Sequence, residues 1–176
     1  NAQFQQKETK IKAEEKKELE EIEKEIINEY KEEIKNLAAT FANRNENVRK
    51  RAEATSQMIK DIADEANKSF GKSFFGLFSA IWNFSENLKR LAEIYKEHRD
   101  NQAERNIEQE ARSISRGLDN LKTVEDAEAA RNRMQELKKE HEKLCGKLIN
   151  EIEKIEKTAK QAEDDLAKSA LKSGEA

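Results

Sequence analysis

Proline is absent from this chain of 176 residues, and glycine occurs only five times. Glutamate, lysine, alanine, glutamine and leucine dominate instead. This is the composition of long helices, because these residues have high helix propensity and the residues that interrupt helices are scarce. The composition therefore favours helices over sheets or disordered tails.

The chain also has little cysteine and no long apolar run. Its single cysteine, Cys145, excludes an intramolecular disulfide and leaves the cellular compartment open. A membrane-spanning helix needs about 18 or more consecutive apolar residues, and no such run or signal peptide is present. We therefore expect a soluble protein. Because the chain starts at Asn1 without methionine, it is expected to be a processed mature product or a trimmed chain.

Neither sign of charge prevails: 34 lysines and arginines are interleaved with 37 acidic residues. Nucleic-acid binding depends on clustered positive charge, so the sequence argues against it. The hydrophobic share of 35% is low for a compact globule and predicts a thin core. The length suits one domain, residues 1–176.

Apolar residues recur at steps of three and four along the first third of the chain, which predicts one helix over residues 5–70. The asparagine-rich stretch ANRNEN, residues 42–47, predicts a bend near Asn45, and a full turn there would make four helices. The first stripe contains Leu19, Ile22, Ile26, Tyr30, Ile34, Leu37 and Phe41.

Two further helices are predicted, over residues 73–117 and 123–170, with a short frayed tail at 171–176. Gly71 is expected to end the first helix and Ser73 to cap the second. The polar stretch HRDNQAERN, residues 98–106, is a candidate bend. Thr123 and an acid three residues later form a capping-box variant that begins the third helix.

Helices of these lengths predict an all-α fold, an elongated antiparallel three-helix bundle with coiled-coil-like packing. The thin apolar stripes on the N-terminal 40 residues and on residues 135–166 leave an alternative open. In that alternative the stripes pair between chains, and the protein self-associates.

Aromatic residues are concentrated in SFGKSFFGLFSAIWNF, residues 69–84, which contains five of the seven phenylalanines and the only tryptophan. Phe75, Phe78 and Trp82 form a second stripe about 120° from the main seam of the helix. The block either anchors the core where two helices meet, or leaves a surface for a protein partner or a membrane. The predicted contact residues are Phe74, Phe75, Phe78, Trp82 and Phe84.

Catalytic and cofactor motifs are not evident in the sequence. Neither His98 nor His141 has a glutamate three residues earlier, so the Glu-x-x-His motif of di-iron bundles is missing. His141 and Cys145 lie one helical turn apart and would form half of a zinc site. Because no further ligands are evident in the sequence, we interpret them as a packed histidine beside a buried thiol, and we predict no metal or cofactor.

The sequence thus predicts a non-enzymatic structural or interaction protein, of the scaffold or adhesin kind, that docks a partner through residues 74–84 or self-associates. No small-molecule substrate is indicated. A membrane-active protein that uses the same apolar segment, as a lipid-surface binder or a helical pore-forming toxin component, is the alternative.

Overall fold

A computed structural model describes the backbone of residues 2–175 and the side chains of residues 2–68 and 82–168. Throughout that backbone the protein is helical and has no strand, which confirms the predicted all-α bundle of long helices packed against each other. The α-helices are α1 (Ala2–Ile81), α2 (Phe84–Asp100), α3 (Gln102–Arg116) and α4 (Val124–Glu175), with a 3-10 turn at Leu118–Asn120.

Helix α1 does not break where the sequence suggested. It continues through Asn45, whose side-chain oxygen lies 3.0 Å from Nε2 of His141, so this asparagine makes a tertiary contact and does not form a turn. The prediction that Gly71 ends the helix is also wrong, since α1 extends to Ile81. A glycine inside a helix costs only about 1 kcal/mol, which does not outweigh the helix formers around it.

The true start of α2 is capped by Asn83. This residue has an extended backbone, and its side chain accepts a hydrogen bond of 3.2 Å from the backbone N–H of Glu86. Asparagine is a strong N-cap, and an acid three residues later completes the start signal. The connection between α1 and α2 therefore lies at residues 82–83 and not at the predicted residues 71–73.

The fourth helix arises from a break at Asn101, inside the stretch predicted to bend. The backbone N–H of Asn101 closes α2 on the carbonyl of His98, at 3.2 Å. Its side-chain oxygen accepts hydrogen bonds from the N–H groups of Ala103, at 2.9 Å, and Glu104, at 3.4 Å. One asparagine thus ends one helix and caps the next.

The connection to α4 agrees with its prediction. The chain turns after Gly117 into the 3-10 turn, and Thr123 precedes the first residue of α4. The Thr123 hydroxyl accepts a hydrogen bond of 3.1 Å from the N–H of Asp126. This is the N-cap that the residue pattern indicated.

The chain divides into two compact units, and the first comprises residues 1–42 and 106–140. Arg131 of α4 lies 3.2 Å from a Glu33 carboxylate oxygen and stacks 4.9 Å from the centre of the Tyr30 ring. Arg133 of α4 holds both carboxylate oxygens of Glu110 in α3, at 2.6 and 2.8 Å. The buried core of this unit includes Ile27, Ile34, Phe41, Ile107, Ala111, Ala127, Met134 and Leu137.

The second unit comprises residues 43–105 and 141–176. Arg44 pairs with Glu142, and Arg51 lies 3.1 Å from Glu156, so these parts of α1 and α4 run in the same direction. Helix α2 returns between them after its two-residue connection. The core of this unit includes Val48, Ile59, Ile62, Ala66, Phe84, Leu91, Ile94, Ile152, Ala159 and Leu166.

Candidate functional site

The aromatic segment lies at the end of α1 and the beginning of α2. Phe84 is buried in the core of the second unit, at 5% exposure, so its ring serves packing. Trp82 is only partly buried and meets Phe84 edge-to-face, with ring centres 4.8 Å apart. The side chains of Phe74, Phe75 and Phe78 lie outside the described residues. The predicted docking role of this segment stays a prediction.

A different apolar surface lies on the N-terminal part of α1. Every residue from 2 to 25 is exposed, although this stretch is helical. Four large apolar side chains are 52–66% exposed: Phe4, Ile11, Leu19 and Ile22. Their spacing places them within one face of the helix, which we call the N-terminal apolar face. An aligned set of exposed apolar side chains on a helix is typical of a contact surface.

The interior of the second unit holds a group of polar side chains that we call the buried polar cluster: Asn45, His98, Glu104, His141 and Cys145. The cluster contains both histidines and the only cysteine of the chain. His141 is fully buried, and Cys145, Glu104 and His98 are each less than a tenth exposed. Groups of this kind are rarely buried without partners, because removal from water costs several kcal/mol for a charged group.

Short contacts connect the cluster. Nδ1 of His98 lies 2.5 Å from Oε2 of Glu104, and Nε2 of His141 lies 3.8 Å from Oε1 of the same carboxylate. The Cys145 sulfur lies 3.6 Å from Nε2 of His141. Oε2 of Glu104 has no hydrogen bond with acceptable geometry, despite its proximity to His98. The carboxylate is thus surrounded by nitrogen and sulfur atoms without a full set of donors.

The helix break at Asn101 creates this arrangement. His98 and Glu104 are six residues apart, and in an uninterrupted helix they would point about 120° apart around the axis. Because α2 ends at Asp100 and α3 starts at Gln102, the two side chains meet in the interior. The opposite side of the cluster comes from α4, where His141 and Cys145 share one face.

Charge pairs elsewhere on the two units are structural. The hydrogen bond from Arg133 lowers the pKa of Glu110 below its ordinary value. Hydrogen bonds from Lys160 and Arg51 likewise lower the pKa of Glu156. These pairs are exposed to solvent and contribute little to stability. Neither of these two pairs has a buried atom without a hydrogen-bond partner, as Glu104 does.

Sequence reasoning found two of the five members of the buried polar cluster, His141 and Cys145, and did not connect the other three with them. A signal was present: His98 follows Leu91 and Tyr95 at steps of four and three, which places it on the apolar seam. Glu104 similarly precedes Ile107 by three residues and Ala111 by seven. Polar residues at seam positions on both sides of a predicted bend indicate a buried polar group.

Comparison with known proteins gives no matching family model, no matching curated protein and no matching solved structure. Among the described residues, no helix is both long enough and apolar enough to cross a membrane. Function therefore has to be inferred from the surfaces and the buried groups of the chain itself.

Proposed function

We propose that this protein is a non-enzymatic helical interaction protein that self-associates through the N-terminal apolar face. The observation that carries the proposal is that every residue from 2 to 25 is exposed, with four large apolar side chains on one face. Helices in proteins gain most of their stability from packing of an apolar face, so this segment favours a partner helix.

The charge pattern favours a second copy in antiparallel orientation as that partner. Consider two antiparallel copies of this segment in which the two Glu15 residues lie opposite each other. In this register Ile11 of one copy lies opposite Leu19 of the other. The same register places four of the six lysines of residues 2–25 at the level of a glutamate of the other copy, and complementary charge specifies orientation in paired helices. The residues at one level are Lys7 with Glu23, Lys10 with Glu20, Lys12 with Glu18, and Lys16 with Glu14.

A charge swap tests this register. Changing Lys7, Lys10 and Lys12 to glutamate should weaken the dimer strongly, because three pairs of acidic residues then lie at the same levels in each half. Changing Glu18, Glu20 and Glu23 to lysine in the same chain should restore it. Sedimentation velocity over a concentration series measures both. A heterologous partner or a parallel pairing predicts no restoration, and a monomeric wild-type chain at all concentrations would refute self-association.

Two single substitutions, one on the apolar stripe and one outside it, provide a matched comparison in the same experiment. Glu15 lies on the apolar stripe and faces its own copy in this register, so Glu15→Leu should tighten the dimer by replacing a like-charge pair with apolar contact. Lys17→Leu introduces a leucine two residues further along the helix, outside the apolar stripe, and serves as the control. Equal effects of the two variants would indicate nonspecific hydrophobic association.

The aromatic segment, residues 74–84, is a second proposed contact region for a protein partner, and membrane contact is its alternative. Partial exposure of Trp82 beside the buried Phe84 supports it. We expect a water-soluble quencher to reach Trp82 and mixed anionic and neutral vesicles to leave its emission unchanged. A blue shift with dye leakage would favour membrane activity instead. If Trp82 is fully protected from the quencher and Phe78→Ser unfolds the protein, the segment only packs in the protein core and does not bind a partner.

A further inference from the structure

We propose that the buried polar cluster is a zinc site, with His98, Glu104, Cys145 and His141 as its ligands. Imidazole, thiolate and carboxylate are the ligands that Zn²⁺ accepts in proteins, and four of them make a closed structural site. Such a site would hold the end of α2, the start of α3 and the middle of α4 together. This inference is independent of self-association through the N-terminal apolar face.

The distances fit a site that closes around an ion. The ligand atoms of His98, Glu104 and Cys145 all lie within 4.8 Å of one another. With metal bonds of about 2.0–2.3 Å, tetrahedral zinc ligands are about 3.3–3.7 Å apart. The Cys145 sulfur is 3.6 Å from Nε2 of His141, which is 3.8 Å from Oε1 of Glu104. His141 thus adjoins two members of that group, Glu104 and Cys145, and would complete it as the fourth ligand.

The charges also fit. One thiolate and one carboxylate neutralise the two positive charges of Zn²⁺, so the occupied site would be neutral in a buried environment. Zn²⁺ would form a bond with the Cys145 sulfur as the thiol releases its proton to solvent. Oε2 of Glu104 is buried and lacks a hydrogen bond. A bound cation would supply the partner that a buried carboxylate oxygen needs.

A cavity borders the cluster on one side. It has a volume of about 150 Å³ and is lined by His98, Asn101, Leu144 and Lys147, so one of the four proposed ligands lies at its wall. Oδ1 of Asn45 lies 3.0 Å from Nε2 of His141, the nitrogen that would bind the ion. In the occupied site, Nε2 of His141 would bind the ion in place of the Asn45 side chain.

Binding of Co²⁺ and Zn²⁺ to the chelator-treated, full-length protein tests the proposal. We expect one Co²⁺ per chain, with the intense visible bands of tetrahedral cobalt and a thiolate charge-transfer band in the near ultraviolet. Zn²⁺ should displace the cobalt and protect Cys145 from a thiol reagent. Cys145→Ser should lose the charge-transfer band, and circular dichroism verifies that the variant remains helical.

A matched pair of variants separates the cluster from the many surface acids. Glu104→Gln should weaken Zn²⁺ binding by more than about 100-fold, because even outer-shell changes cost roughly 10–100-fold. Glu151→Gln makes the same change at an exposed residue that lines the same cavity, and its affinity should equal that of the wild type. Octahedral cobalt spectra, unchanged thiol reactivity with Zn²⁺, or equal losses in the two variants would overturn the proposal.

Discussion

His98→Leu is expected to lower the free energy of unfolding by about 3–5 kcal/mol, measured by urea denaturation in the presence of a metal chelator. The substitution keeps an apolar side chain in the interior but removes the nitrogen 2.5 Å from Oε2 of Glu104. Loss of one member of a buried polar pair leaves the other desolvated and without compensation. Glu104 is 4% exposed, so water cannot replace the lost partner.

The double variant His98→Leu, Glu104→Leu is the control for this prediction. It should recover a large part of the lost stability, because replacing both members of a buried pair by apolar residues is often neutral. The four proteins make a double-mutant cycle that isolates the coupling between the two residues. A double variant as unstable as the sum of the single ones would show that the two side chains do not interact.

Ile34→Ala is expected to destabilise the protein by about 2–5 kcal/mol. Ile34 is fully buried in the first unit, and removing its outer carbons takes away apolar contact and leaves a cavity. Thermal and urea unfolding at low protein concentration measure the loss. The expected effect is large because the core is thin, and each buried side chain carries a large share of the net stability.

Ile11→Ala is the matched control, with the same residue change in the same helix. Ile11 is 55% exposed, so its loss should change monomer stability by less than about 0.5 kcal/mol. At higher concentration the same variant should weaken self-association. Equal destabilisation by the two substitutions in dilute solution would show that residues 2–25 pack within the monomer.

Local residue patterns were sufficient to predict the helical class and several boundaries. Thr123 with Asp126 begins α4 as predicted, and the polar stretch around Asn101 contains the break. These features depend on capping and periodicity, which involve only residues within one or two turns. The start of α2 differs from its prediction because the Asn83 cap on the Glu86 N–H, and not Gly71, sets the boundary between the two helices.

The stripe on α1 shows why contacts cannot be predicted from such patterns. Leu19 and Ile34 both belong to the apolar stripe predicted along α1, yet Leu19 is 60% exposed and Ile34 is fully buried. Periodicity shows which face of a helix is apolar, but it contains no information on whether a neighbour covers that face. The same limit applies to Trp82 and Phe84, which differ in burial although both belong to the aromatic segment.

By itself, the sequence determined that the chain forms long amphipathic helices, because helix propensity, capping and 3.6-residue periodicity are local properties. Only the tertiary structure decided that Asn45, His98, Glu104, His141 and Cys145 meet in one interior site. Residues from α1, α2, α3 and α4 contribute to it. Their convergence depends on the break at Asn101 and on the alignment of α1 with α4, and both are settled by packing between segments far apart in the chain.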